Sequence, residues 1–346
     1  MISKVKKVLG RSRAVLKVRL RSGTPFERSV YYSLFSDAFR RERNVVSRGH
    51  QEYSRREKVG TQEFLLRRNI HMLEKGLTMQ PRRATFALDY IGPTVELFRK
   101  LLAHKPAPIS TGVENWARDV LVQYFDATRA SGNSVIAQAR DEFDRFTWET
   151  DTEGTSVPHA PSTQVPPVGI DALTTLAERR KSVRWFLPDD VPRDVIDRAM
   201  LVARESPSAC NRQPFTFRVF DDPAMVKAVA AIPMGTAGYA QNLKGIVVIV
   251  GELSAFIDER DRHLIYTDGC LAAMSFILGL EAQGVASVCI NWPDIVERDR
   301  RMASLLNLES HQRVVMLVGY GYADPDGLTP FSAKRRLTDL RSFNSL

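Results

Sequence analysis

The sequence predicts a mixed helix-and-strand sandwich, of the α/β or α+β class, in its second half, and a helical region before it. Three observations predict this. Gly245–Gly251 (GIVVIVG) is an unbroken apolar run of strand length, as in a strand buried on both faces, and it alternates with helical patterns on either side. The first half shows apolar stripes at i, i+3, i+4 and i+7. Between the halves, Asp151–Gly169 holds Pro158, Pro161, Pro166 and Pro167 among Ser, Thr and Gly, with no apolar period, and reads as a linker. The expected division is a basic arm and helical region over 1–150, a linker over 151–169 and a second domain over 170–346.

Taken in order, Glu63–Lys75 places Leu66, Ile70, Leu73 and Leu77 on one stripe, with Gly76 as a C-terminal stop and Pro81 beyond. Val113–Ala130 sets Val113, Trp116, Ala117, Val120, Leu121, Tyr124 and Phe125 on one face, with Arg118, Asp119 and Gln123 off it. After the linker come a helix from Asp171 to Arg180, then one from Pro192 carrying Val195, Ile196, Ala199, Met200 and Ala203 inward. Phe215–Phe220 alternates like a strand, and Pro223–Ile232 is a short helix. Ile265–Gln283 is apolar nearly all round, so it is a central helix needing cover on every side. Ala286–Asn291 and Arg313–Gly319 read as strands, with Val296–Leu306 a helix between them.

The chain has 346 residues, of which 44% are hydrophobic and 26% charged, a composition that excludes wholesale disorder. The net charge of +9 is unevenly spread: residues 1–85 hold 21 Lys/Arg against 7 Asp/Glu. Met1–Gly23 alone carries Lys4, Lys6, Lys7, Arg11, Arg13, Lys17, Arg19 and Arg21. Such an arm suits an anionic surface, and the competing reading is a solvated tail. The candidate partner through residues 1–23 is an anionic membrane, with no specific nucleic acid. Apolar runs such as Ile246–Val250 and the interrupted Leu271–Leu280 fall short of the roughly 18–20 residues of a membrane span. No signal-peptide pattern follows the basic start. Cys210, Cys270 and Cys289 are odd in number without C-x-x-C spacing, which argues against a disulfide framework or zinc site and for a reducing cytoplasm, peripheral to the membrane if the arm binds lipid. His71-x-x-Glu74 has a metal-compatible spacing but reads as a solvated helix face, so no metal is expected.

Three segments carry chemistry. Arg179–Phe186 (RRKSVRWF) concentrates four cations and a hydroxyl at a helix end; if extended, Arg180, Ser182 and Arg184 share one face. Guanidinium forks beside a hydroxyl suit a phosphate dianion, whereas cations also settle at helix C-termini by compensating the dipole. Ser206–Phe215 (SPSACNRQPF) joins a helix to a strand, and its small residues would let a planar ligand approach while Ser208, Asn211 and Gln213 offer hydrogen bonds. Lys334-Arg335-Arg336 follows the Gly319–Tyr322 turn and, by itself, is a solvated charge run.

In this order the segments resemble the nitroreductase-like FMN-dependent oxidoreductases, over about Asp171 to Arg341. The resemblance runs through RRKSVRWF, VPRDVIDRAM, SPSACNRQPFTFRVF, IYTDGCLAAMSFILGLEAQGV, VGYGYADP and SAKRRLTDL. It implies an α+β fold, an α/β/α sandwich around a mostly antiparallel central sheet. It further implies that Arg180, Lys181, Ser182 and Arg184 hold the FMN phosphate and ribityl chain, joined by Lys334 or Arg336. Pro207, Ser208, Ala209, Asn211 and Gln213 would approach the flavin from the second subunit of a homodimer. The strand end Cys289-Ile290-Asn291 would present backbone amides to the ring; here the sequence departs from the Glu-Gly pair of some members, and bulky Trp292 and Pro293 follow. The expected dimer interface is the Ile265–Gln283 helix with the Ser206–Gln213 loop, because a five-strand sheet with few helices leaves one side open. RRNIHMLEKGLTMQPRR resembles segments that precede this domain in a subset of bacterial proteins.

The reading that follows is an FMN-dependent oxidoreductase taking hydride from NAD(P)H and reducing a small organic acceptor in alternating half-reactions. A flavin carries the redox chemistry itself, so no catalytic residue beyond its holders is required. Two alternatives compete: an interaction protein, with or without flavin, anchored by the basic arm, and a flavin enzyme that uses O₂.

Overall fold

The computed structural model describes residues 18, 20–36, 39–104, 109–146 and 156–344. The cationic arm lies almost wholly outside these residues, as does the first part of the linker; 156–169 carries neither helix nor strand. A short helix α1 (Pro25–Val30) is started by a capping box between Thr24 and Glu27. Helices α2 (Arg40–Val59), α3 (Glu63–Thr78), α4 (Ile91–Ala103), α5 (Thr111–Ala127) and α6 (Ser134–Phe143) follow. The apolar stripes of α3, α4, α5 and α6 meet in one core, where Leu66, Ile70 and Leu73 of α3 join Phe98, Leu121 and Tyr124.

Two details of this region differ from the sequence pattern. Gly76 does not stop α3, which runs on to Thr78; a Cβ there would enter the Phe86 ring, so the glycine is a packing notch. Arg118 and Asp119 are not on a solvated face: both are buried, paired at 2.9 Å, and Asp119 also accepts the Ser156 amide at 3.2 Å. A buried pair can look like two surface charges in a linear pattern, because periodicity registers only polarity. His71 and Glu74 do touch, at 3.2 Å, but Glu74 is also tied to the Trp116 indole N–H at 2.9 Å and so links α3 to α5.

In the second half, α7 (Ile170–Arg179), α8 (Arg193–Ala203), β1 (Phe215–Phe220), α9 (Pro223–Ala230), β2 (Gly245–Glu252), α10 (Leu264–Glu281), β3 (Ala286–Ile290), α11 (Val296–Leu306), β4 (Gln312–Gly321) and α12 (Leu337–Leu340) follow in sequence. The sheet has four strands rather than five, in the order β1-β2-β4-β3, and every neighbouring pair is antiparallel. What stands in for a fifth is a pair of isolated bridges, Ser182 to Ser287 and Phe186 to Ala323. Both faces of the sheet are covered, which makes an α/β/α sandwich. Val247 and Ile249 of β2 pack with α8 and α10, and Ile246, Val248 and Val250 pack with α9 and α11. That is why β2 is apolar from Gly245 through Gly251.

Central helix α10 is buried along most of its length, against β2, β4 and α8. Within the stretch Glu259–Glu281, an 18-residue window has a mean hydropathy of 1.4 and is long and apolar enough, by length and composition, to cross a membrane; half of that window is buried. No uninterrupted apolar run marks it, because Asp268 interrupts the sequence. The helical region docks on the sandwich through α2, which packs against the turn Leu253–Ala255, and α3, which packs against the turn Ala209–Asn211.

Candidate functional site

The basic segment leaves α7 at Arg180 and becomes extended. Ser182 bridges to Ser287 of β3, with the Val183 amide donating to the Ser287 carbonyl at 3.0 Å. At its other end, the Leu187 amide donates to Tyr322 at 2.8 Å, and Phe186 pairs with Ala323 beyond β4. Arg184 is thus fixed between two anchored points. Its guanidinium lies 5.5 Å from the centre of the Tyr239 ring and donates to the Ser182 carbonyl at 3.2 Å. Asn242 holds the same backbone by donating to the Arg184 carbonyl at 3.4 Å. Burial pushes the Tyr239 hydroxyl pKa up, against the pull of the Arg184 charge.

Beside this segment, Arg180, Lys181 and Lys334 line one open cleft of about 660 Å³, whose apolar wall includes Ile170, Leu173, Ala177 and Phe331. Cations far apart in sequence therefore converge, as a phosphate or carboxylate ligand needs. Arg336 is not among the residues lining the cleft: it is exposed and paired with Asp339 at 3.1 Å. On β3, Cys289 is the one exposed position, Ile290 is buried against β4, and Asn291 is exposed just beyond the strand. Burial raises the Cys289 thiol pKa, against the opposing pull of the Arg180 charge. Trp292 turns into the core and donates its indole N–H to Asp299 at 2.5 Å, so its bulk is stowed behind the strand end.

The Ser206–Gln213 loop sits elsewhere. Cys210, Asn211 and Gln213 all have left-handed backbones, with φ of 53°, 52° and 52°. Side chains hold this shape: the Gln213 amide donates to Ser208 Oγ at 3.0 Å, and Gln213 Nε2 to Asn211 Oδ1 at 2.9 Å. Asp268 of α10 accepts the Ala209 amide at 3.0 Å, and Ser206 meets Ser275 at 2.8 Å. Burial raises the Asp268 pKa, and the Ala209 amide and the Arg212 charge oppose that shift. Pro207 is exposed, and Ser208 and Ala209 are half-buried.

Within one chain the two groups of site residues stand apart. The loop is fixed near Asp268, whereas Arg179, next to the cationic segment, pairs with Glu281 at 2.8 Å. Those two acids are 13 residues apart on α10, so about 20 Å of helix separates them. Sequence reasoning passed over Tyr239, Asp268 and Arg212. Asp268 had a signal, as a lone acid inside an apolar helix; Tyr239 had none, because its role depends on where the Arg184 side chain comes to rest.

The Nitroreductase family model matches residues 177–243 and 242–322. Among curated proteins, an NADH dehydrogenase of Thermus thermophilus is 27% identical over 189 residues, covering 46% of this chain and 89% of that protein. An iodotyrosine deiodinase of Thermotoga neapolitana is 25% identical over 175 residues, covering 44% and 89%. Among solved structures, an FMN-dependent nitroreductase from Clostridium difficile covers 49% of this chain and 98% of its own at 19% identity, with a TM-score of 0.42. A nitroreductase family protein from Streptococcus pneumoniae covers 49% and 99% at 19% identity, with a TM-score of 0.43.

Proposed function

From the Nitroreductase-family domain that occupies residues 177–322 of this chain, an oxidoreductase domain, we propose that the protein is an FMN-dependent enzyme. It takes hydride from NAD(P)H and passes the two electrons to a small organic acceptor. The observation that carries this reading is the convergence of Arg180, Lys181 and Lys334 on one cleft. Such a donor set fits a single terminal phosphate dianion, and the apolar wall beside it fits the rest of a flat cofactor. When bound, the flavin supplies the two-electron chemistry, accepting hydride from one partner and releasing reducing equivalents to the next.

The chain's own residues bind and orient. Arg180, Lys181 and Lys334 neutralise the phosphate, while Arg184, held by Tyr239 and Ser182, adds a pre-set fork that loses little freedom on binding. Cys289, Ile290 and Asn291 offer the strand-end backbone to the ring edge, where amide donors would favour negative charge. The loop residues Pro207, Ser208, Ala209, Asn211 and Gln213 supply the facing wall from a second copy of the chain. Support for that dimer comes from the roughly 20 Å of α10 between Asp268, which anchors the loop, and Glu281, which pairs with Arg179, and from the exposed stripe of Cys270, Leu271 and Met274 on α10. Two copies of α10 laid antiparallel would cover the stripe and bring each loop to the other copy's cations.

The test is anaerobic addition of NADH and of NADPH to the purified protein, followed by an acceptor screen. Loss of the flavin's visible absorbance with either nucleotide supports the reading. Bleaching by dithionite alone, or a colourless protein that takes up no FMN, would reject it and favour an interaction role.

A further inference from the structure

Residues 1–176 lie outside the family match, yet two of their helices pack directly on the second domain. Gly49 of α2 lies so close to the turn Leu253–Ala255 that a Cβ would stand 2.8 Å from the Leu253 carbonyl oxygen. Val46 joins Leu253, Ala255, Phe256 and Ile265 in one buried cluster. Gln62, fully buried at the start of α3, donates to the Ser254 carbonyl at 3.1 Å. This docking therefore continues into the turn that precedes α10.

On the same side stands Arg212, within the candidate flavin loop. It is 8% exposed and makes no ion pair among the described residues. Its guanidinium lies 5.1 Å from the centre of the Phe256 ring, which belongs to the same buried cluster as Val46 of α2. Nη1 reaches the Ala209 carbonyl at 3.5 Å. Burial lowers its pKa, and Arg68 of α3 and Tyr53 of α2 are among the groups whose charge it feels. A cation buried at such cost between two elements, with no carboxylate bonded to it, has a structural task. Around it stand three non-glycine residues with left-handed backbones, which persist only where their surroundings over-determine them.

We infer that the α2–α3 pair is a brace for the Ser206–Gln213 loop, with Arg212 as the positioning residue between them, so that the helical region sets flavin affinity without touching flavin. This inference rests on the proposed function for the identity of the ligand but not for the brace itself. With the helices docked, the loop is held ready; with them displaced, part of the binding free energy goes to ordering it.

The experiment uses the full chain and two readouts. Amide hydrogen exchange on the flavin-free protein reports the loop directly, with β2 and β4 amides as the folding control. Fluorescence titration gives FMN affinity. In Gly49→Leu, whose side chain forces α2 away from Leu253, loop amides should exchange faster while strand amides stay protected. FMN affinity should fall by about tenfold or more, and turnover at saturating FMN should return to wild type. Arg212→Met should show the same faster loop exchange and weaker FMN binding, and Arg212→Lys should recover part of the affinity. If Gly49→Leu does not fold, Gln62→Ala, which removes one docking hydrogen bond, gives the same comparison. Unchanged loop exchange and unchanged FMN affinity in folded variants would overturn the brace. If the wild type itself takes up no FMN, the functional reading falls, and loop exchange alone decides the brace.

Discussion

The Arg184 guanidinium lies 5.5 Å from the centre of the Tyr239 ring, and the segment carrying it is pinned at both ends, to Ser287 and to Tyr322. A cation on a free surface strand would be worth little, and its removal should change stability by less than about 0.5 kcal/mol. A fork oriented toward a phosphate is different: its loss should cost about 1.5–3 kcal/mol of binding, or ten- to a hundredfold in FMN affinity. Arg184→Ala is therefore expected to purify folded and largely colourless, regaining colour only at high FMN. Arg184→Lys should recover part of the affinity, since charge remains and the fork is lost. A fully yellow Arg184→Ala protein with wild-type affinity would refute the phosphate role.

FMN, rather than FAD, should be the flavin released by heat. Arg180, Lys181 and Lys334 gather at one cleft, and no G-x-G-x-x-G turn opens a helix toward a pyrophosphate. Mass spectrometry of the released cofactor decides between them, and FAD in the supernatant would contradict the one-phosphate reading.

The exposed stripe on α10 gives a third expectation. Leu271 and Met274 are 45% and 44% exposed on a helix otherwise largely enclosed. Met274→Glu places a charge there without touching the sheet core. Light scattering should show the dimer dissociating, and FMN affinity should fall by at least about tenfold, because each site then lacks its second wall. A monomeric variant that keeps its flavin would show that one chain completes the site.

The sandwich was the most legible part of this sequence. GIVVIVG admits only a strand covered on both faces, and an apolar helix such as α10 admits only a central place. Less legible was α2, whose docking face holds Val46, Gly49 and Tyr53. A glycine at the point of closest approach leaves no apolar mark, and its partner, Leu253, is some 200 residues away in sequence. The cationic cluster was readable because several charges in eight residues need a reason. Its assembly was only partly so: Lys334 arrives at the cleft while Arg336, two residues on, is held by Asp339. The partnership of Arg212 with Phe256 depends on long-range packing, which spacing along the chain does not encode.

Acid sensitivity should trace to Glu252 at the end of β2. Its carboxylate is 13% exposed and meets His311 Nε2 at 3.0 Å, Gln312 Nε2 at 3.1 Å, and both the hydroxyl and the amide of Ser254. Burial works against ionisation, yet the bonds from His311, Ser254 and Gln312 outweigh it and carry the pKa below its ordinary 4.5. A carboxyl whose folded pKa lies below its unfolded one stabilises the fold above the unfolded value; that stabilisation is lost as pH falls through the folded value. Glu252→Gln keeps the shape but gives up the charge-assisted bonds, so at pH 7 it should cost about 1–3 kcal/mol. The comparison is the urea midpoint of wild type and variant at intervals from pH 7 down to about pH 3.5, the range where a carboxylate bonded in the native state takes up its proton. The two curves should stand apart at neutral pH and draw together as pH drops below 4.5. A gap that stayed constant over the whole range would mean that ionised Glu252 contributes nothing, and the acid sensitivity would then belong to another carboxylate.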